Sequence, residues 1–222
     1  MCRPVDVMPE PSRTIALSRQ RGSGGSYVGR IVAERLGLRY IDREMLRNAA
    51  EYLRPQSAEQ QLETRASSWF TRLGEAFARG GPDCGYVPPS SDAVYEGELF
   101  DIEQRLLLDI MKDHAAVIVG RGAAQTLRGR PGVLAVLVHA PEPWRIARVQ
   151  QVYGLADPRA AERMVHGSDR DRASFVEAIG GGEWTDARGY DLAVDTAALG
   201  FEPAVEIIVR AVRARTEMAI GQ

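Results

Sequence analysis

Hydrophobic residues recur along the chain at two spacings, which predict strands that alternate with helices. Short apolar runs predict strands at residues 14–18, 38–41, 115–119, 133–138 and 190–194. Apolar residues at helical spacing predict a helix that ends at Gly37 and further helices at about 43–53, 57–79, 94–113, 141–153, 157–178 and 203–215. This alternation is typical of an α/β domain with a mostly parallel sheet and right-handed crossovers.

The segments that leave the strands mark the expected site. Ligands of open parallel sheets bind beyond the carboxyl ends of the strands, so these segments should gather at one sheet edge. They are residues 18–26, Asp42, 120–122, 139–140 and 195–196.

The length of 222 residues fits one domain with a helical insert. Residues 1–12 are expected to form a flexible tail, and residues 13–218 a single domain. Residues 80–92 are rich in Gly, Pro and Ser, which predicts a surface loop.

Composition and charge exclude several classes of protein. The 28 basic and 30 acidic residues give a net charge of −2, which argues against a general nucleic-acid binder. No apolar run approaches the roughly 20 residues that cross a bilayer, and residues 1–12 lack the apolar core of a secretory signal. Two cysteines, Cys2 and Cys84, fit a reducing compartment. We therefore expect a cytoplasmic protein with no membrane or nucleic-acid partner.

A glycine-rich turn at residues 22–26 (GSGGS) joins the first strand to the first helix. Glycines let backbone N–H groups point into one concavity, and the helix N-terminus adds partial positive charge, so the turn is a candidate phosphate site. Arg19 and Arg21 flank it and can hold phosphate oxygens in a bidentate way. The alternative is a turn that needs glycine for its shape alone, but its position after the first strand favours phosphate binding.

The turn departs from the usual phosphate-loop pattern because Gly25 stands where lysine is expected. Ser26 follows it and offers a hydroxyl to Mg²⁺. Lys112 is the only lysine among the 28 basic residues, so phosphate chemistry here depends on arginine and backbone N–H groups.

Five segments in order resemble the cytidylate kinase-like family of P-loop kinases: IALSRQRGSGGSYVGRIVAERLG, YIDRE, AVIVGRGAAQTL, SDRDR and YDLAVDTAAL. The resemblance extends over about residues 14–212, and a GSGG loop without lysine is typical of this subgroup. It implies a nucleoside monophosphate kinase-type fold: a five-stranded parallel sheet flanked by helices, a helical acceptor-binding insert at 43–114 and a lid at 157–189. It also implies ATP and Mg²⁺ as cofactors and transfer of the γ-phosphoryl group to a small acceptor such as CMP or dCMP.

The residues and the resemblance together give three sets of expected site residues. The ATP-binding set is Arg21, Gly22, Ser23, Gly24, Gly25, Ser26, Tyr27, Arg170, Asp195 and Thr196. The catalytic set is Arg19, Asp42, Asp169 and Arg172, with Ser26 and Asp42 as the expected Mg²⁺ ligands. The acceptor-binding set is Arg43 and Arg121.

Some of these residues also fit purely structural roles. Asp42 also fits a plain helix N-cap, and the arginines of the predicted lid also fit a solvated helix with i,i+4 ion pairs. Trp184 lies in an aromatic and acidic stretch that the family also has, and it is a candidate for lid closure.

The chain departs from the family pattern at two further positions. Gly122 replaces the aspartate that follows the motif arginine, and Val165 replaces an arginine four positions before the lid pair Asp169 and Arg172. These departures leave two other functions open: a nucleotide-binding protein without catalysis, and a kinase for a non-nucleotide acceptor on the same fold.

Overall fold

The computed structural model describes residues 14–46, 48, 102–111, 115–120 and 122–220, with side chains given as far as residue 217. The expected tail 1–12, the predicted helix 57–79, the predicted loop 80–92 and Arg121 lie outside the described residues. The chain divides into two compact units, one of Met1–Tyr40 with His114–Gln222 and one of Ile41–Asp113.

Five strands form one parallel sheet, as predicted. They are β1 (Thr14–Arg19), β2 (Arg39–Ile41), β3 (Ala116–Val119), β4 (Val133–His139) and β5 (Leu192–Asp195). Their spatial order is β2-β3-β1-β4-β5. Central β1 pairs in parallel with β3 from Thr14 to Leu17 and with β4 from Thr14 to Arg19. The α/β fold class expected from the sequence is therefore confirmed.

The first unit contains six α-helices within the described residues: α1 (Gly25–Leu36), α2 (Ala123–Leu127), α3 (Glu142–Tyr153), α4 (Pro158–Ala178), α5 (Thr196–Leu199) and α6 (Phe201–Ile220). The predicted start of the last helix at Pro203 is wrong, because α6 begins at Phe201. Proline is tolerated in a first turn, where the backbone N–H has no helical partner. The last strand begins at Leu192, two residues later than predicted. At the preceding residue, the Asp191 backbone N–H donates to Ala135 O, but the Ala135 N–H donates to the Asp191 side chain.

The core lies between the buried central strands and the helices α1 and α6. Leu17, Val119 and Val136 from the sheet pack with Val28 of α1 and Ile208 of α6. Burial of each such side chain contributes about 1.5–3 kcal/mol relative to exposure. This core fixes the beginning of α1 at the carboxyl end of β1.

The predicted lid, residues 157–189, contains α4, which packs on α3. Val149 of α3 meets Ala161 and Val165 of α4 in a small buried cluster. Val165 therefore supplies helix packing at the position where the family pattern has arginine.

In the second unit, the structure describes helical residues at 43–46 and 102–111. Asp42 caps the first of these segments, because its Oδ1 accepts a hydrogen bond of 3.1 Å from the Met45 backbone N–H. Leu46, Leu107 and Ile110 are buried. None of the described helices is long and apolar enough to span a membrane.

Candidate active site

The glycine-rich turn is held on the end of β4 by hydrogen bonds of Gln20. The Gln20 backbone N–H donates to Val138 O at 3.1 Å, and the Gln20 side-chain oxygen accepts from the Ala140 N–H at 3.1 Å. The turn thus begins from a fixed position beside two adjacent strand ends.

Ser23 holds the turn from within. Its hydroxyl is buried and lies 2.8 Å from Gln20 O and 3.1 Å from Val138 O, and its N–H donates to Gln20 O. Thr196, at the end of β5, donates its hydroxyl to Ser23 O at 2.7 Å. Both hydroxyls are buried and engaged with backbone carbonyls, and the expected role of Ser23 and Thr196 in ATP binding stays a prediction.

Asp195 also has a structural partner. Its Oδ1 accepts hydrogen bonds from the backbone N–H groups of Ala197 and Ala198, at 2.8 and 3.2 Å, and so caps α5. Its neighbour Thr196 fixes the same corner, so the end of β5 supports the turn.

The glycines of the turn allow close packing on its outer side. Gly22 and Gly24 have φ of 85° and 77°, which favours glycine. A Cβ at Gly22 would lie 2.6 Å from the carbonyl oxygen of Arg145, and one at Gly24 would lie 2.3 Å from the Phe201 ring. Backbone conformation and close packing therefore both require glycine at these two positions.

Gly25 shows why lysine is absent from the turn. A Cβ at Gly25 would lie 2.4 Å from the Cβ of Arg19. The Arg19 side chain extends from there across the end of β3, where its Nη1 would lie 2.1 Å from a Cβ at Gly120. Arg19 therefore occupies the space of a side chain at position 25 and brings its guanidinium group to the carboxyl edge of the sheet.

The backbone of the turn leaves amide groups for a ligand. The helical hydrogen bonds of α1 begin with Val28 N–H to Gly24 O, so the N–H groups of Gly25, Ser26 and Tyr27 precede them. These amides and the helix dipole favour an anion at this end of α1.

Arg145, which sequence reasoning missed, connects the turn to α4, the helix of the predicted lid. Its side chain is 4% exposed. Its Nε donates to Ala140 O at 3.1 Å, and its Nη1 donates to Arg21 O at 3.3 Å and to Asp169 Oδ2 at 2.8 Å. Asp169 and Arg21 are therefore brought together, although 148 positions separate them in the sequence.

The other lid residue of the predicted pair, Arg172, stacks on an aromatic ring. Its guanidinium carbon lies 5.2 Å from the centre of the buried Trp184 ring. Tyr190 donates its hydroxyl hydrogen to Trp184 O at 2.6 Å and accepts from the Gln125 amide at 2.8 Å. Burial raises the pKa of Tyr190 above its ordinary value, against the opposing effect of hydrogen bonds to Ser18 and Gln125.

A cluster of aromatic rings and arginine borders the turn on its other side. Phe201 lies 5.5 Å from Tyr27 and 6.0 Å from Trp144 between ring centres. The Arg148 guanidinium lies over Phe201 at 4.5 Å. Trp144 and Arg148 are distant from the turn in the sequence, which therefore does not predict this cluster. In the structure, Phe201 lies against Gly24 and brings the cluster to the turn.

The remaining predicted residues fall elsewhere. Arg170 is exposed on α4. Asp42 and Arg43 belong to the second unit, and Arg121 lies outside the described residues. Within the described ranges, no group of three His, Cys, Asp or Glu side chains could hold a metal ion.

Fold and turn together define an α/β protein of the P-loop kinase type. The cytidylate kinase-like family matches residues 14–198, and the chain belongs to that family. This confirms the resemblance on which the expectations above partly depend.

Solved structures share the fold at low sequence identity. An uncharacterized protein from Eubacterium ventriosum matches with a TM-score of 0.67 and 18% identity, over 90% of this chain and 98% of its own. TT1252 from Thermus thermophilus matches with a TM-score of 0.52 and 19% identity, over 92% and 97% of the two chains. A shikimate kinase from Bacteroides thetaiotaomicron matches with a TM-score of 0.49 and 15% identity, over 90% and 98%. No curated protein matches the chain.

Proposed function

We propose that this protein is a phosphotransferase that moves the γ-phosphoryl group of ATP, bound with Mg²⁺, to a small acceptor. CMP and dCMP are the first acceptors to test, because the family's name and motifs point to them. The observation that carries the proposal is the turn at residues 20–26, where the first amides of α1 and the Arg19 guanidinium meet one sheet edge.

Phosphoryl transfer requires positioning and charge neutralisation more than covalent chemistry. In our proposal, the N–H groups of Gly25, Ser26 and Tyr27 bind the phosphates of ATP. Arg19 supplies the positive charge that lysine provides in other phosphate loops, and Arg172 supplies charge from the lid. Mg²⁺, when bound with ATP, would further neutralise the phosphates, with Ser26 as its expected protein ligand.

The donor base has a candidate surface in the cluster of Trp144, Arg148 and Phe201. Guanidinium and aromatic faces stack on purine rings, and Phe201 packs directly against Gly24 of the turn. We propose that this surface contributes to the donor-base site together with Asp195 and Thr196, which remain expected residues there. Asp42, Arg43 and Arg121 keep their proposed roles near the reacting phosphates and the acceptor.

A second candidate function is nucleotide binding without transfer. It is favoured by Val165, which is buried between α3 and α4 where the family pattern has a charged lid residue. Gly122 likewise lacks the family's carboxylate, and a Cβ there would lie 2.6 Å from Ile179. A protein of this kind would bind ATP and show no turnover with any acceptor.

The test is ADP release from MgATP with a panel of nucleoside monophosphates, in the wild type and in Arg19→Gln. Arg210→Gln is the matched control, since it removes one arginine from the exposed face of α6. We expect turnover with one pyrimidine monophosphate, normal turnover in Arg210→Gln and a severe loss in Arg19→Gln. ATP binding without turnover would favour the second function, and no ATP binding by folded protein would contradict both.

A further inference from the structure

Arg145 is a buried charged group that the proposed reaction does not use. Its backbone packs against Gly22 of the turn, and its side chain donates to the Arg21 carbonyl of the same turn. The guanidinium also donates to Ala140 O at the end of β4, so the fixed sheet edge orients it. A buried arginine needs this many acceptors because an unpaired charge in the interior is very costly.

The only carboxylate paired with Arg145 in the described part of the chain belongs to the lid helix. Asp169 Oδ2 lies 2.8 Å from Arg145 Nη1. Its other oxygen, Oδ1, is buried and accepts no hydrogen bond from the described residues. The contact with Arg145 therefore determines where this carboxylate lies.

Asp169 lies three residues before Arg172 on α4, so both belong to one face of the helix. A shift of Asp169 consequently moves Arg172 with the same rigid turn of helix. Hydrogen bonds therefore connect the turn to Arg145 and Arg145 to Asp169, and one turn of α4 connects Asp169 to Arg172.

We propose that Arg145 is a positioning residue that transmits occupation of the turn by a polyphosphate, through Asp169, to the lid arginine Arg172. The inference depends on the proposed function, because it assumes that the turn binds phosphates. Arg145 Nη1 donates hydrogen bonds to both the Arg21 carbonyl and Asp169. A phosphate at the turn moves or fixes the Arg21 carbonyl, and Arg145 passes this change to Asp169. In this proposal, Asp169 couples the phosphate site to Arg172.

The experiment measures hydrogen exchange of α4 amides with and without a saturating non-hydrolysable ATP analogue and Mg²⁺. In the wild type, we expect the analogue to slow exchange near residues 169–172 by about tenfold, within the usual range of coupling between sites. In Asp169→Asn, the analogue should bind with a dissociation constant within about threefold of the wild type, yet the slowing should fall to less than about twofold. Because ligand binding is measured separately, general destabilisation does not mimic this result.

Two further variants keep the test decisive. Glu162→Gln removes a carboxylate from an exposed position of the same helix and should retain the full slowing. The double variant Arg145→Met with Asp169→Leu replaces the ion pair by apolar groups, which proteins often tolerate; it should fold, bind the analogue and show no slowing, even if Asp169→Asn does not fold.

The outcomes separate this inference from the proposed function. If the wild type fails to bind the analogue, the proposed function and this inference are both wrong. If the wild type binds it and either variant at Asp169 keeps the full slowing, or if the wild type shows none, the coupling through Arg145 is overturned and the proposed function stands.

Discussion

Replacing Gly24 by alanine separates two reasons for glycine in the turn. Its φ of 77° is unfavourable for an L-residue, at a cost of about 1–2 kcal/mol. The added methyl group would also lie 2.3 Å from the Phe201 ring, and overpacking of this kind typically costs about 1–3 kcal/mol. Gly24→Ala should therefore lower the free energy of unfolding by about 2–5 kcal/mol.

Gly37 provides a matched control for the backbone effect. It has φ of 65°, and a Cβ there would meet nothing within 4 Å. Gly37→Ala should cost only about 1–2 kcal/mol. The difference between the two variants therefore measures the contact with Phe201.

The assay is urea unfolding of both variants, each also made in a Phe201→Leu background. A smaller side chain at position 201 should reduce the cost of Gly24→Ala towards that of Gly37→Ala and leave the cost of Gly37→Ala unchanged. Equal costs for the two variants in the wild-type background would refute the packing argument. So would a cost of Gly24→Ala that does not depend on residue 201.

Three other predictions concern the site and its supports. Arg19→Gln should lower kcat by about 10³-fold, the effect of losing an arginine at the transition state, and a coupled ADP assay with less than about tenfold loss would contradict this. Thr196→Val should lower the free energy of unfolding by about 1–3 kcal/mol, because Ser23 O loses its buried donor. Thr196→Ser keeps that hydrogen bond, so equal melting temperatures for the two variants would contradict the prediction. Because the pKa of Tyr190 is raised on folding, the folded state keeps the hydroxyl proton after the unfolded state has lost it, and the free energy of unfolding falls as the pH rises above about 10. Urea unfolding at a series of pH values should show a steeper fall for the wild type than for Tyr190→Phe. Equal dependence on pH in the two proteins would count against the raised pKa.

Local sequence patterns were sufficient to predict the sheet and the turn. Buried strands such as 133–138 contain continuous apolar residues, and the helix before Gly37 repeats its apolar residues every three or four positions. The short helices α2 and α5 were missed, because four or five residues contain too little of a helical period to detect.

The site was predicted less completely because its supports connect distant parts of the chain. Thr196 is 173 positions from Ser23, and Arg145 is 124 positions from Arg21. Neither contact has a local signal, since a buried arginine and an exposed one look alike in a sequence. For Gly24 the sequence indicated a special backbone, but the aromatic ring against it becomes visible only in three dimensions.

The central claim is that the first amides of α1 hold the phosphates of ATP beside Arg19. The most direct test is an NMR titration of the Gly25, Ser26 and Tyr27 amide resonances with MgATP and, separately, with adenosine. The account predicts large shifts with MgATP and small shifts with adenosine, which lacks phosphates. Unchanged resonances at saturating MgATP, or equal shifts with both ligands, would contradict it.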